Sequence, residues 1–195
     1  MKFNELKAIL EKEHKEYKSI PFWSWNNGIE EDELIKQIED MKSAGIGGFI
    51  MHARNGLSIK YLGEKWFSCI KACLNKAKEL NMEAWVYDEN GWPSGFVGGK
   101  LLKKVEYRAQ YLEYSINNSF DKDAFVVYKK EKDGYKILDK AESGINEYHT
   151  IYLKTSPANT DILNPEVVSA FIKETHEEYY KRFKDSFGKE LVGFF

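Results

Sequence analysis

Three short apolar segments, each followed by polar residues, occupy the first half of the chain, and this repeat constrains the fold more than any other feature. The segments are residues 20–25, 46–51 and 82–87. Apolar residues at helical spacing follow the first two segments, over 30–44 and 63–80. Nearly continuous apolar runs of this length are typical of parallel strands that are buried on both faces. The repeat therefore predicts a parallel α/β architecture.

Residues 107–155 have a different pattern. Short segments there alternate apolar and polar residues, which is typical of antiparallel strands. Asp133-Gly134, between two of these segments, is a common hairpin turn. We therefore predict an antiparallel β insertion at 107–155, after the third apolar segment and within a single domain that spans 1–195.

Two further helices are predicted, one before the first apolar segment and one after the antiparallel insertion. Residues 5–18 carry apolar residues at helical spacing. Asn164-Pro165 predicts the start of another helix, because Asn caps helix N-termini well and Pro is favoured at the first helical position. That helix is predicted to continue to about residue 184. Residues 190–195 form a fourth apolar segment, so we expect an α/β fold with about four parallel strands.

Charge and hydropathy argue against two classes of partner. The net charge of −2 provides no broad basic field for nucleic acid or anionic lipid. No apolar run approaches the ~20 residues of a membrane span. The charged N-terminus is unlike a secretory signal, so we expect a cytoplasmic protein.

The cysteines and two of the histidines give little indication of a site. Cys69 and Cys73 lie on one face of a predicted helix and are interpreted as small buried hydrophobic residues, because no further ligand pattern accompanies them. His149 falls in a strand of the insertion, and His176 is interpreted as an exposed helix residue.

Aromatic and polar residues follow the first two apolar segments, at strand ends where α/β proteins build their sites. Trp23 and Trp25 point to the same side of the first strand, so they form either core or a platform for a sugar ring beside Asn26. His52 and Arg54 follow the second strand, where burial of an unpaired charge would be costly, and this favours a site. Arg54 can bond a sugar hydroxyl or hold a carboxylate in its ionised form.

The third segment leads into the loop from Tyr87 to Gly95, which contains two adjacent carboxylates and Trp92. Asp88 and Glu89 point to different sides if the backbone is still extended, so we do not expect them to form one acid–base pair. Glycoside hydrolysis usually needs two carboxylates, which in a barrel normally come from different strands. The two acids could also bind Ca²⁺, but adjacent loop acids more often cap helices or accept hydrogen bonds, so no metal site is assigned.

In combination these motifs resemble the catalytic barrel of the α-L-rhamnosidase-like glycoside hydrolases. The resemblance rests on PFWSWNNGIEEDELIKQIEDMKSAGIGGFIMHARNGLSIKYLGEKW, AWVYDENGWPSGFVGG and DILNPEVVSAFIKETHEEYYKRFKDSFGKELVGFF. It implies a partial TIM-type (β/α) barrel, the first half of the eight-stranded fold, with the antiparallel insertion after strand three. Family members continue from strand four to an acidic tip, and this chain ends at Phe195, before that tip.

The resemblance also implies a sugar pocket, with Asp88 and Glu89 as the candidate catalytic residues. Its candidate substrate-binding residues are Trp23, Trp25, Asn26, His52, Arg54, Tyr87 and Trp92. The implied reaction is hydrolysis of a terminal deoxy-sugar without a cofactor, and the chain alone is expected to be weak or inactive. The alternatives are a non-catalytic carbohydrate-binding or assembly module and a structural remnant without a ligand. A second copy or a missing C-terminal half could complete the barrel.

Overall fold

The computed structural model describes residues 3–10 and 17–195, and it divides into two compact units. The first unit combines the described residues up to Gly98 with Ser169–Phe195. The second unit is Gly99–Val168, which lies within the sequence of the first.

The described residues contain eight β-strands and five α-helices. The strands are β1 (Phe22–Trp25), β2 (Gly48–Ala53), β3 (Glu83–Asn90), β4 (Arg108–Asn117), β5 (Val126–Glu131), β6 (Gly134–Leu138), β7 (Tyr148–Thr160) and β8 (Leu191–Phe194). The helices are α1 (Phe3–Leu10), α2 (Glu31–Ser43), α3 (Glu64–Glu79), α4 (Pro165–Glu174) and α5 (His176–Phe183). Helix α1 covers the first part of the predicted segment 5–18, and residues 11–16 lie outside the described residues.

A four-stranded parallel sheet forms the centre of the first unit, in the order β1-β2-β3-β8. This confirms the expectation of about four parallel strands in an α/β fold. Since all four strands run the same way, their carboxyl ends lie along one edge of the sheet. Residues after Trp25, Ala53 and Tyr87 are therefore brought to that edge, which we call the carboxyl edge.

Helices α2 and α3 pack on one face of this sheet, as their sequences predict. Acidic residues in the first turn of α2 complement the helix dipole, and Leu34 and Ile38 are buried. Gly45 adopts a positive φ of 84° just after α2, which is the left-handed conformation that commonly ends helices. Within the described residues, no helix is long and apolar enough to cross a bilayer.

The predicted helix from Pro165 to about residue 184 is wrong in one respect, because it is broken into α4 and α5 at Thr175. Thr175 departs from helical geometry, with φ −118° and ψ −82°. Its hydroxyl donates to the carbonyl of Phe171 at 2.6 Å. A threonine hydroxyl that bonds back to the preceding turn often bends a helix. Here the break places His176 at the start of α5.

The covered face of the parallel sheet holds the main core. Side chains that alternate along each strand share this face and contact the buried stripes of α2, α3 and α5. The strand residues in this cluster are Trp23, Trp25, Phe49, Met51, Ala53, Ala84, Val86 and Leu191. Cys69 and Cys73 belong to the same cluster as free thiols, which agrees with their interpretation as buried hydrophobic residues.

The opposite face of the sheet, which we call the open face, carries the other alternating residues. Phe22 pairs in register with Ile50, which pairs with Trp85, so these side chains lie side by side across three strands. Gly193 continues this row on β8, and a Cβ at that position would lie only 2.8 Å from Trp85 Cζ3. Glycine therefore gives the indole of Trp85 room to lie against β8.

The second unit is an antiparallel sheet in the order β4-β7-β5-β6. The predicted insertion at 107–155 is thus present as antiparallel strands, which extend to Thr160. Strands β5 and β6 form the hairpin predicted at Asp133-Gly134. A small core of Val127, Leu138 and Tyr148 lies on one side of this sheet.

Candidate functional site

Aromatic rings gather on the open face next to the carboxyl edge. His52 and Tyr87 are in direct contact, with ring centroids 4.1 Å apart. Phe22 packs edge-on against His52 and against Phe195, at 5.7 and 4.9 Å. Sequence analysis did not select Phe22 or Phe195, because neither carries a polar group and their grouping depends on the strand register.

Trp92 completes this group from the loop after β3. Its ring stacks on that of Tyr87, with an interplanar angle of 16° and a centroid distance of 5.8 Å. Tyr87 is buried, whereas Trp92 is 67% exposed. Trp92 therefore presents a flat ring to solvent on a rigid aromatic support.

Burial sets the protonation of His52 and Tyr87. Desolvation lowers the pKa of His52, the positive charge of Arg54 lowers it further, and the carbonyl of Gly91 opposes the shift. The ring is therefore biased toward its neutral form, with Nε2 3.4 Å from that carbonyl. Desolvation and the charges of Asp88 and Glu89 raise the pKa of Tyr87 to about 12. The Tyr87 hydroxyl thus keeps its proton near neutral pH.

Arg54 and Asn26 lie at the carboxyl edge with exposed side chains. The Arg54 side chain makes no hydrogen bond or ion pair with any described residue. It is nevertheless close enough to lower the pKa of both His52 and Tyr87. Gly56, with φ 99°, lets the loop after β2 approach the loop after β1, because a Cβ there would meet the carbonyl oxygen of Asn26 at 2.5 Å.

Trp23 and Trp25 lie on the covered face, so they form core and do not line the carboxyl edge. Trp25 is 2% exposed, and its ring packs edge-on against Trp66 at 5.0 Å. Trp23 packs against Trp25 at 5.4 Å and donates its indole N–H to Gln37. Alternation correctly predicts that the two tryptophans share a side, but the side is decided by helix packing.

Glu89 is fully buried and organises the loop that follows it. One carboxylate oxygen accepts backbone N–H groups from Asn90 and Gly98, at 2.8 and 2.5 Å. The other accepts those of Gly95, Phe96 and Val97, at 3.2, 2.8 and 2.7 Å. Five donors occupy both oxygens, so the structure places Glu89 as an internal anchor for the loop and away from the solvent at the carboxyl edge.

Asp88 is held by a hydroxyl and an imidazole. Ser94 donates its hydroxyl to one carboxylate oxygen at 2.6 Å, and Nε2 of His176 lies 3.0 Å from the other. The imidazole of His176 is fixed by edge-on contacts with Phe171 and Phe194. His176 is therefore no exposed helix residue, as its sequence position suggested, but a partner of the candidate acid. The two residues are 88 positions apart in the sequence, which explains why no local pattern indicated this.

Two tyrosines, Tyr179 and Tyr61, lie close to Asp88. Burial raises the pKa of Tyr179, whose hydroxyl accepts the indole N–H of Trp66 at 2.8 Å. Burial also raises the pKa of Tyr61 well above its usual value, and the charges of Glu89 and Asp88 add to the shift. Both phenols thus remain neutral behind the two carboxylates.

No group of three or more potential metal ligands is assembled among the described residues. Glu89 has no oxygen free of backbone donors, and both oxygens of Asp88 are already engaged. This arrangement gives the two acids a hydrogen-bonding role that needs no cation.

A cavity of about 480 Å³ lies between α2 and α3, away from the carboxyl edge. Four of its polar side chains form two pairs, Ser68 with Glu31 and Lys76 with Glu79. It contains no aromatic ring, so it does not share the character of the carboxyl edge.

No family model matches the chain, and no curated protein matches it. Among solved structures, the chain is similar to a rhamnosidase from Novosphingobium sp. PP1Y, with 20% sequence identity and a TM-score of 0.43. The similarity covers 62% of this chain and 12% of the length of that protein. A similarity of this degree assigns neither a family nor an activity to the chain.

Proposed function

We propose that the first unit binds a carbohydrate at the carboxyl edge of its parallel sheet, with Trp92 as the platform for the sugar ring. The observation that carries the proposal is the exposed indole of Trp92, stacked on the buried ring of Tyr87. Large aromatic rings usually bury most of their surface, so a rigidly held, exposed ring favours a ligand with an apolar face. The C–H face of a pyranose has that property.

Polar groups beside the platform fit the hydroxyls of a sugar. Arg54 has five N–H donors and no partner among the described residues. The amide of Asn26 can donate and accept, which suits hydroxyl groups in either orientation. His52, held mainly neutral by burial, and Tyr87, held protonated, add no charge to the site. A ligand rich in hydroxyls can bond both to these uncharged groups and to the guanidinium of Arg54.

The finer part of the proposal is that the sheet is a portion of a (β/α) barrel of the α-L-rhamnosidase type. Its support is the order of four parallel strands with site residues at their carboxyl ends, and the motifs at the ends of β1, β2 and β3. In such a barrel the open face would be the interior. Further strands, from a second copy or from a C-terminal half, would then cover the exposed rings of Phe22 and Phe195. They would also pair with the edge strands β1 and β8.

Light scattering across a concentration series tests that coverage by a second copy. A dimeric mass that reverts to monomer in a Phe22→Asp variant would support self-association through the open face. A monomeric mass at every concentration would count against coverage of the open face by a second copy.

For the chemical step, we propose that Asp88 is the acid of this site that can act on a glycoside and that Glu89 is a positioning residue. Hydrolysis usually requires two carboxylates on either side of the glycosidic bond. Because Glu89 is occupied by five backbone donors, this chain supplies one of the two. The chain on its own is therefore proposed to bind sugar without turning it over. Release of nitrophenol from an aryl rhamnoside by the pure protein, lost in Asp88→Asn, would contradict this.

Calorimetric titration tests the binding proposal, with L-rhamnose and a panel of other pyranoses as ligands. We expect saturable binding that Trp92→Ala weakens about tenfold, the loss of roughly one stacking contact. Phe125→Ala is a matched control, since it removes a ring that is 64% exposed in the second unit. Binding that is equally strong in Trp92→Ala and in wild type would exclude the carboxyl edge as the sugar site.

A further inference from the structure

The second unit has a pocket of its own, on one face of the antiparallel sheet and distinct from the carboxyl edge. Its volume is about 290 Å³, which is enough for a single six-membered ring with substituents. Every strand of the sheet contributes to its lining, which consists of Tyr114, Tyr128, Tyr135, His149 and Ile151.

Strand register brings these side chains together. Tyr114 on β4 pairs with Ile151 on β7, and Tyr128 on β5 pairs with His149 on β7. Tyr135 on β6 lies two residues before Ile137, which is the partner of Tyr128 on β5. Because side chains alternate between faces, all five project from the same side of the sheet.

The rings form a floor and a wall. Tyr114 and His149 lie in nearly parallel planes, with an interplanar angle of 23°. Tyr135 stands almost perpendicular to His149, at 82° and a centroid distance of 5.0 Å. The hydroxyl of Tyr114 lies 2.5 Å from Nδ1 of the imidazole. Nε2 makes no hydrogen bond to a described residue, although it lies 3.1 Å from a carboxylate oxygen of Glu147. His149 is 6% exposed, so this floor is preformed.

The core of the second unit does not use these rings. That core is built from Val127, Leu138 and Tyr148, and Val127 projects from the face opposite its neighbour Tyr128. Tyr114 and Tyr135 are 59% and 60% exposed. Aromatic surface left in water on a rigid sheet is a feature of binding sites more than of folding.

We propose that this pocket binds a pyranose ring, independently of the function proposed for the carboxyl edge. The apolar face of the sugar would lie against the aromatic floor, with the ring of Tyr135 beside its edge. The hydroxyls of Tyr128 and Tyr135 make no hydrogen bond to any described residue, so they are open to sugar hydroxyls. The pocket lining contains no Asp, Glu, Lys or Arg, and the carboxylate of Glu147 lies against Nε2 of His149.

An alternative ligand of different chemistry would use the same rings in another way. A quaternary ammonium ion would be attracted by the ring faces but would leave both free hydroxyls unused. It would also lack a carboxylate in the lining. The combination of flat rings and free hydroxyls therefore favours the sugar.

The test is an NMR titration of the full chain with ring-labelled tyrosine, using methyl pyranosides and, separately, tetramethylammonium. We expect the signals of Tyr114, Tyr128 and Tyr135 to shift saturably with at least one pyranoside. Tyr135→Ala should weaken that binding about threefold to tenfold, the range for one lost ring contact. Tyr128→Phe, which keeps the ring and removes the hydroxyl, should weaken it to a smaller extent.

Two control variants separate this pocket from other sites. Tyr111→Ala removes a half-exposed ring from the opposite face of β4 and should leave the affinity unchanged. Trp92→Ala should also leave these tyrosine shifts unchanged, although it weakens binding at the carboxyl edge. The pyranose proposal would be overturned if only tetramethylammonium shifted the tyrosine signals. It would also be overturned if none of the ligands shifted them. Loss of the tyrosine shifts in Trp92→Ala would show that they report the other site.

Discussion

The two faces of the parallel sheet come from the same alternating strands but differ in what covers them. On the covered face, Trp25 is 2% exposed and packed by the helices. On the open face, Phe22 and Phe195 remain 46% and 56% exposed. Buried rings contribute to stability through the area they remove from water, and exposed rings contribute far less. The covered face therefore contributes most to the stability of the fold, and the carboxyl edge is the region that we propose for binding.

The largest expected effect separates these two faces on a single strand. Trp25→Ala should lower the free energy of unfolding by about 3–5 kcal/mol, the usual loss for a buried tryptophan. Phe22→Ala, three residues earlier on the open face, should cost about 1 kcal/mol or less, because nearly half of its surface is already in water. Urea denaturation followed by circular dichroism measures both. Equal losses in the two variants would contradict the assignment of one face to stability.

The next effect concerns the carboxyl edge itself. Glu89→Gln should destabilise the protein by about 2–4 kcal/mol, because the amide NH₂ would face backbone N–H donors and leave several of them without an acceptor. The loop 91–98 should become sensitive to limited proteolysis. Glu79→Gln is the control, since Glu79 is an exposed residue at the end of α3. Wild-type protease resistance in Glu89→Gln would mean that the loop is held by other contacts.

A smaller effect is expected from the pair that holds the candidate acid. A double-mutant cycle of Asp88→Asn and His176→Ala should give a coupling energy of about 1 kcal/mol, since the two side chains share a hydrogen bond. Tyr180→Ala, an exposed residue of the same helix, replaces His176→Ala in the control cycle and should give no coupling. Additive losses in the first cycle would show that Asp88 and His176 do not stabilise each other.

The smallest effect is a pH dependence on the open face. Burial lowers the pKa of His52 in the folded state, so the unfolded chain takes up a proton more readily. The stability linked to His52 is therefore complete above the ordinary histidine pKa of about 6.5 and decreases as the pH falls below it. Denaturation between pH 5 and 8 should show a shallower acid-side decrease in His52→Gln than in wild type. Identical slopes would mean that folding leaves the pKa of His52 unchanged.

Local patterns were sufficient to predict the four parallel strands and the antiparallel insertion. Apolar segments with polar ends indicated β1, β2, β3 and β8, and the hairpin at Asp133-Gly134 was readable from two residues. Each of these signals lies within a few residues of the element it specifies.

The candidate site was less accessible to prediction, since its details depend on contacts between distant segments. Alternation placed Trp23 and Trp25 on one side, but the position of α2 and α3 decided that this side is core. Glu89 looked equivalent to Asp88 in sequence, and only the folded loop shows that five backbone donors engage it. His176 reaches Asp88 through a helix break that no periodicity signalled.

Sugar binding at the carboxyl edge is tested most directly by the indole region of a ¹⁵N NMR spectrum during titration with the best pyranose ligand. The chain contains five tryptophans, and their indole N–H signals can be assigned by substitution. We expect a saturable shift of Trp92, with Trp23 and Trp25 unchanged, because the first lies at the carboxyl edge and the other two lie in the core. A spectrum in which Trp23 or Trp25 shifts and Trp92 does not would contradict it.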